Sequence, residues 1–180
     1  MRISGEIRGN NPVLSQVPKC EAPGAPRFSG CDAFSRHLGH PAIDDHSRVA
    51  FTRLLPDQKA ETTIGFLRAA TSFFAQRNVP IRALLTDNGS AYRSHLFRDA
   101  CAQMQLKHRR TRPYTPRTNG KAERFIQTAL KEWAYSQHWP SSDHRDAQLQ
   151  PWNDFYNNQR PHGSLNYNPP VSRLRGGTTS

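Results

Sequence analysis

The sequence predicts an α/β layered domain built on a mixed sheet. Three observations carry this. From Ala42 onward, short apolar runs of strand length alternate with longer runs of helical period. Two strand-like runs flank Asp44-Asp45-His46-Ser47-Arg48, which reads as a hairpin and makes the sheet mixed rather than purely parallel. A third apolar run, IRALLT at 81–86, ends directly on the turn residues Asp87-Asn88-Gly89-Ser90.

The elements follow in order. Residues 1–40 hold four prolines and five glycines and no sustained apolar period, so 1–41 reads as an irregular or disordered segment. Residues 42–174 form the body of the domain, and 175–180 a frayed tail. VAFTRLL at 49–55 is a strand. Ala60, Ile64, Leu67, Ala70 and Phe74 fall near helical spacing and predict a helix over about 58–77. Ser94 is placed to cap a second helix, with Phe97, Ala100, Cys101 and Met104 as its apolar stripe. Residues 106–110 read as a strand, and RPYTPRTNG at 112–120 as a loop. Ala122, Phe125, Ile126, Ala129 and Trp133 give the strongest helical period in the chain. A last helix is expected over about 144–157, with Leu149, Trp152 and Phe155 inward and Trp133 and Tyr156 also in the core.

Composition narrows the function. In 180 residues, Lys and Arg number 25 and Asp and Glu 14, a net charge of +11 that points to a polyanionic partner, DNA before others. The three cysteines are widely spaced, which excludes a disulfide scaffold and fits a reducing compartment. No apolar run approaches the ~18 residues of a membrane span, so a soluble, cytoplasmic protein without a membrane partner is expected. Cys20, Cys31, His37 and His40 do not form a zinc motif: the cysteines stand too far apart for a structural site.

Two carboxylates stand where chemistry is usually placed. Asp87 follows an apolar strand, and ligands of open α/β sheets bind beyond the carboxyl ends of the strands. Glu123 lies in the first turn of the most periodic helix, on the border of its apolar face. Taken singly, each also fits a plain turn residue or a partner of the helix dipole. Together they offer the hard oxygen ligands that Mg²⁺ prefers. Around Glu123 lie Lys107, Arg109, Arg110, Arg112, Arg117, Lys121 and Arg124, with Tyr114 among them. This cluster of seven positive charges suits a phosphate backbone.

Thr86-Asp87-Asn88-Gly89-Ser90-Ala91-Tyr92, thirty-five residues between the two carboxylates, and Asn119-Gly120-Lys121-Ala122-Glu123-Arg124-Phe125 resemble the second and third acidic motifs of the integrase catalytic core. That core is shared by retroviral integrases and insertion-sequence transposases. Ile43-Asp44-Asp45-His46-Ser47-Arg48 is similar to its second strand and turn. Tyr156-Asn157-x-x-Arg160-Pro161-His162 with Leu165, Pro169 and Pro170 resembles the C-terminal signature of the insertion-sequence branch. The resemblance implies a ribonuclease H-like fold, Mg²⁺ or Mn²⁺, and the cutting and joining of DNA ends. It implies Asp87 and Glu123 as catalytic metal ligands. Arg109, Arg110, Arg112, Tyr114, Arg117, Asn119, Lys121 and Arg124 would be the DNA-binding set. It also implies transposon ends and target DNA as partners, with a homo-oligomer or an intact transposase alongside.

One part of the pattern is missing. The family's first catalytic aspartate lies on the first strand, and no strand bearing an aspartate is legible before Asp44. Asp32, the only earlier aspartate, stands in no apolar run. The expectation is a core with its first strand missing or replaced, truncated or disrupted at its N-terminus and inactive in strand transfer. The alternative is a non-catalytic DNA-binding or oligomerising remnant.

Overall fold

A computed structural model of the chain describes residues Pro12–Leu14, 38–111 and 120–174. Five strands form one sheet: β1 (Pro12–Leu14), β2 (Leu38–Asp44), β3 (Ala50–Leu55), β4 (Ala83–Thr86) and β5 (Lys107–Arg110). Their order across the sheet is β3-β2-β1-β4-β5. β3 and β2 pair antiparallel, as do β2 and β1, while β1, β4 and β5 run parallel. The sheet is mixed, as the hairpin implied.

The hairpin is closed by side chains. The Asp44 carboxylate accepts from the Ser47 N–H at 2.7 Å and from the Ser47 hydroxyl at 2.6 Å. The Asp44 N–H donates to the Val49 carbonyl at 2.9 Å, and Arg48 takes φ 69° to complete the turn. Asp44 is 1% exposed; these bonds satisfy its Oδ2, while Oδ1 is buried with no hydrogen-bond partner among the described residues.

Strand alternation sends residues to two faces. Ala42, Val49, Phe51 and Leu84 join Phe66, Leu67, Ala70 and Phe74 of α1 (Ala60–Ala75). Beyond the short α2 (Ser90–Arg93), α3 (His95–Gln103) adds Phe97 and Cys101 to this layer. Ser94 caps α3 as expected, its hydroxyl accepting from the Phe97 N–H at 3.1 Å. On the opposite face, Ile43 and Ala50 meet Ala122 and Phe125 of α4 (Gly120–Ala129). Trp133, in the π turn Leu130–Ala134 that continues α4, lies in the same layer.

The C-terminal helix departs from expectation. It is two helices, α5 (Ser142–Ala147) and α6 (Leu149–Asn158). The reason is Pro151, which has no N–H to give and whose ring would strike the carbonyl four residues back in a continuous helix. In the first turn of a new helix the missing donor costs little. Phe155 is corrected as well: it is 42% exposed. Leu149, Trp152, Asn153, Tyr156 and Asn157 make the buried face of α6, and Phe155 sits roughly 120° round the helix from its centre.

Two further differences fall on the N-terminal segment. β2 begins at Leu38, ahead of the 41/42 boundary read from the sequence. Pro12–Leu14 holds the central place of the sheet, between β2 and β4. This central strand is three residues long, Pro-Val-Leu. The rest of 1–41 and the tail 175–180 lie outside the described residues.

Candidate catalytic edge and nucleic-acid interface

The carboxyl ends of β4 and β5 are tied together. The Thr111 N–H donates to the Thr86 carbonyl at 2.8 Å, and Asn88 Nδ2 donates to the Thr111 carbonyl at 2.9 Å. Thr86 is fully buried, and its hydroxyl donates to the Asp87 carbonyl at 2.9 Å and meets His108 Nε2 at 2.9 Å. Asp87 Oδ1 accepts from the Gly89 N–H at 2.8 Å. The Asp-Asn-Gly turn therefore holds Asp87, half-buried, at the end of parallel strands. Below it, burial first and the Asp87 charge second push the Tyr92 phenol far above its ordinary range.

Glu123 is exposed in the first turn of α4. Ala122 and Phe125, 0% and 3% exposed, seat that helix on the sheet. Lys121 fixes its start: its ammonium bonds the Asp45 carboxylate and, at 3.1 Å, the Asp45 carbonyl. Arg48 donates to the same carbonyl at 2.7 Å. The β2–β3 turn thus holds the end of the helix that carries Glu123. Lys121 is 40% exposed, so the ion pair contributes roughly 0.2–1 kcal/mol at most.

Arg109 and Arg110 are exposed on the edge strand β5, and Arg124 is exposed on α4. Lys121 is the member of the expected DNA set engaged with a carboxylate. Arg112, Tyr114, Arg117 and Asn119 lie outside the described residues, as does Asp32. Arg160, of the C-terminal signature, pairs with Glu132 through two bonds of 2.7 Å. Sequence reasoning missed this pair and the amides of Gln150, Asn153 and Asn157; two asparagines four apart on the inner face of α6 were the available signal.

Among the described residues, the donor set does not complete a two-cation centre. β1 carries Pro-Val-Leu and no carboxylate. Among the described residues no group of three or more His, Cys, Asp and Glu is placed to hold a metal ion. Asp87 and Glu123 carry carboxylate oxygens of the kind Mg²⁺ favours.

A model described as integrase core domain matches residues 31–116, and a second of the same description matches 104–170. The chain belongs to the integrase core family. It is 32% identical over 91 residues to the InsD transposase of insertion element IS2 from Escherichia coli, across 51% of this chain and 30% of that protein. It is 36% identical over 98 residues to a Pol-related polyprotein of a mouse intracisternal A-particle, across 54% of this chain and 11% of that one. The matches span under half of these curated relatives' length. Among solved structures, the catalytic core domain of BIV integrase superposes with TM-score 0.62 at 15% identity, covering 90% of this chain and 92% of that one. A chain of the simian T-cell lymphotropic virus intasome in complex with a PP2A regulatory subunit gives TM-score 0.68 at 17% identity, covering 96% and 57%. The fold is therefore the ribonuclease H-like fold of integrase catalytic cores. Among the described residues, no helix is long and apolar enough to cross a membrane.

Proposed function

We propose that the chain is a DNA-acting core of the transposase and integrase type that binds DNA but does not complete strand transfer. The observation that supports the reading is Asp87 directly after β4 and Glu123 in the first turn of α4, in a chain that matches integrase core domain models over residues 31–116 and 104–170. Asp87 and Glu123 are the residues that face a cation, and they hold at most one loosely bound Mg²⁺ or Mn²⁺. Arg109, Arg110, Arg112, Tyr114, Arg117, Asn119, Lys121 and Arg124 form the surface that meets the phosphate backbone. The partners are transposon-type ends and target DNA, in the cytoplasm, together with further copies of the chain or an intact transposase. A second reading, a non-catalytic DNA-binding or oligomerising remnant, is favoured by the Pro-Val-Leu of β1.

An end-nicking assay with Mg²⁺ or Mn²⁺ separates the readings, using Glu123→Gln as the control. The lead reading expects DNA bound and no joining above the control. DNA bound with cutting lost in Glu123→Gln would restore the chain to the active enzymes. Absence of any DNA binding would overturn the lead reading and leave of the second only the oligomerising remnant.

A further inference from the structure

A cleft of about 500 Å³ lies between α4, the β2–β3 turn and the segment that follows α6. Four cations line it: Arg48, Lys121, Arg124 and Arg160. No Asp or Glu does. The two carboxylates that engage these cations, Asp45 and Glu132, approach from outside the cleft lining and leave the group with an excess of positive charge. Ser164 is exposed at the mouth.

His162 lines the same cleft. Its Nε2 is buried and has no hydrogen-bond partner among the described residues. An imidazole nitrogen left so costs free energy until it finds a partner. At neutral pH the ring is uncharged, because burial first and Arg160 next lower its pKa to about 4. It is thus fitted to accept or donate one hydrogen bond beside the guanidinium groups.

The cleft does not share the face of α4 that carries Glu123. At ~100° per residue, Gly120, Arg124, Thr128 and Lys121 fall within one stripe, and Glu123 lies outside it. A strand running along the start of α4 would therefore meet two separate cationic surfaces.

We propose that this cleft seats a backbone phosphate of DNA, so that the Arg160–His162–Ser164 segment is a second part of the DNA interface, away from the Asp87 and Glu123 edge. The proposal rests on the DNA reading given above. Fork-shaped guanidinium groups suit phosphate oxygens, and contacts of this kind position a duplex without reading its sequence.

The test is salt-dependent anisotropy of a labelled duplex with the full chain, Ser164→Asp, Arg124→Gln, and Arg109→Ala/Arg110→Ala. Equal melting temperatures establish that the variants are folded. Ser164→Asp, outside the DNA set named above, is expected to lower the slope of log K against log salt by about 0.9, and Arg124→Gln, which belongs to both surfaces, by a similar amount. An unchanged slope in Ser164→Asp, with a lowered slope in Arg109→Ala/Arg110→Ala, would remove the cleft and leave the DNA reading standing. A wild-type chain that binds no duplex would remove both. A second arm follows the His162 ring nitrogen by NMR against the duplex and against inorganic phosphate at matched ionic strength. The duplex is expected to move it at lower concentration. A response to inorganic phosphate alone would overturn the assignment to DNA.

Discussion

Asn157 and Ala50 exchange a pair of hydrogen bonds across more than a hundred residues. The Ala50 N–H donates to Asn157 Oδ1 at 2.8 Å, and Asn157 Nδ2 donates to the Ala50 carbonyl at 2.7 Å. Asn153 Nδ2 donates to the same carbonyl at 3.1 Å, and Gln150 Nε2 to the Thr52 carbonyl at 2.9 Å. β3 is an edge strand, and its outward backbone groups would otherwise lie unpaired. The amides of α6 do what a sixth strand would do.

Asn157→Ala is expected to cost roughly 1–3 kcal/mol, because it leaves both Ala50 groups buried with fewer partners. Urea unfolding measures it. The exposed neighbour serves as the control: Asn158→Ala should stay within about 0.5 kcal/mol. Equal losses in the two variants would show that the Asn157 amide does not close the edge.

Asp44 closes a turn. Its Oδ2 already accepts two bonds from Ser47. Asp44→Asn and Ser47→Ala should therefore couple in a double-mutant cycle by about 0.5–3 kcal/mol. Additive losses, or a metal affinity that falls with Asp44→Asn alone, would contradict this role.

His162 gives the fold a pH dependence of known sign. Its folded pKa, about 4, lies below the unfolded value of 6.5. Between these values the unfolded chain binds the extra proton, so stability is full above about pH 6.5 and falls as pH drops toward 4. Arg160 and Arg48 face the ring and oppose its protonation, while Glu132 favours it. Solvent reaches the ring, so the loss is on the order of 1–2 kcal/mol rather than the full value of the shift. His162→Gln should flatten this part of the profile. An unchanged profile in the variant would assign the dependence to other groups.

Much of the body was legible because its signals are local. The 58–77 period became α1, Ser94 became a cap, and the 42–55 runs became a hairpin. What was missed has non-local causes. Three residues of strand, Pro12–Leu14, show no period and gain their place only by pairing with β2 and β4. Gly39 and Pro41 disguised the start of β2, since proline rarely sits inside a sheet. Here it is tolerated. Thr52 turns its carbonyl outward to Gln150, so its pairing with Pro41 is of the non-hydrogen-bonded kind. The proline nitrogen then faces away from β3, beyond the last described β1 pair at Leu14 and Ala42. The placement of Asp87 directly after β4 and of Glu123 in the first turn of α4 was legible in the sequence. The link from Lys121 to Asp45 was not, because it joins residues 76 apart.

DNA binding should weaken steeply with salt. Arg109 and Arg110 are exposed on the outer strand of the sheet, and Arg112 follows in sequence. Replacing all three by Ala should reduce the slope of log K against log salt by up to about 0.9 for each phosphate that is no longer neutralised. A slope unchanged in the triple variant would move the interface off this edge.

The last prediction concerns the first strand. β1 pairs Val13 with Leu85 and Leu14 with Thr86, so it runs beside the strand that ends at Asp87. The metal-site reading proposed above needs a third carboxylate beside Asp87, and this strand offers Pro-Val-Leu. Two-cation phosphoryl transfer needs both ions held at fixed separation. Displacement by ~1 Å can already cost about a hundredfold in rate. Loss of a whole ligand should leave joining no greater than in the Glu123→Gln control. Replacing Pro12–Leu14 with an aspartate-bearing strand should then raise metal-dependent cutting above that control, with calorimetry of Mn²⁺ binding as the readout independent of activity. A grafted chain that folds, binds Mn²⁺ more tightly and still cuts nothing would show that a second element of the site is lost. Robust joining by the natural chain, abolished by Asp87→Asn, would show that a carboxylate elsewhere in the chain completes the site.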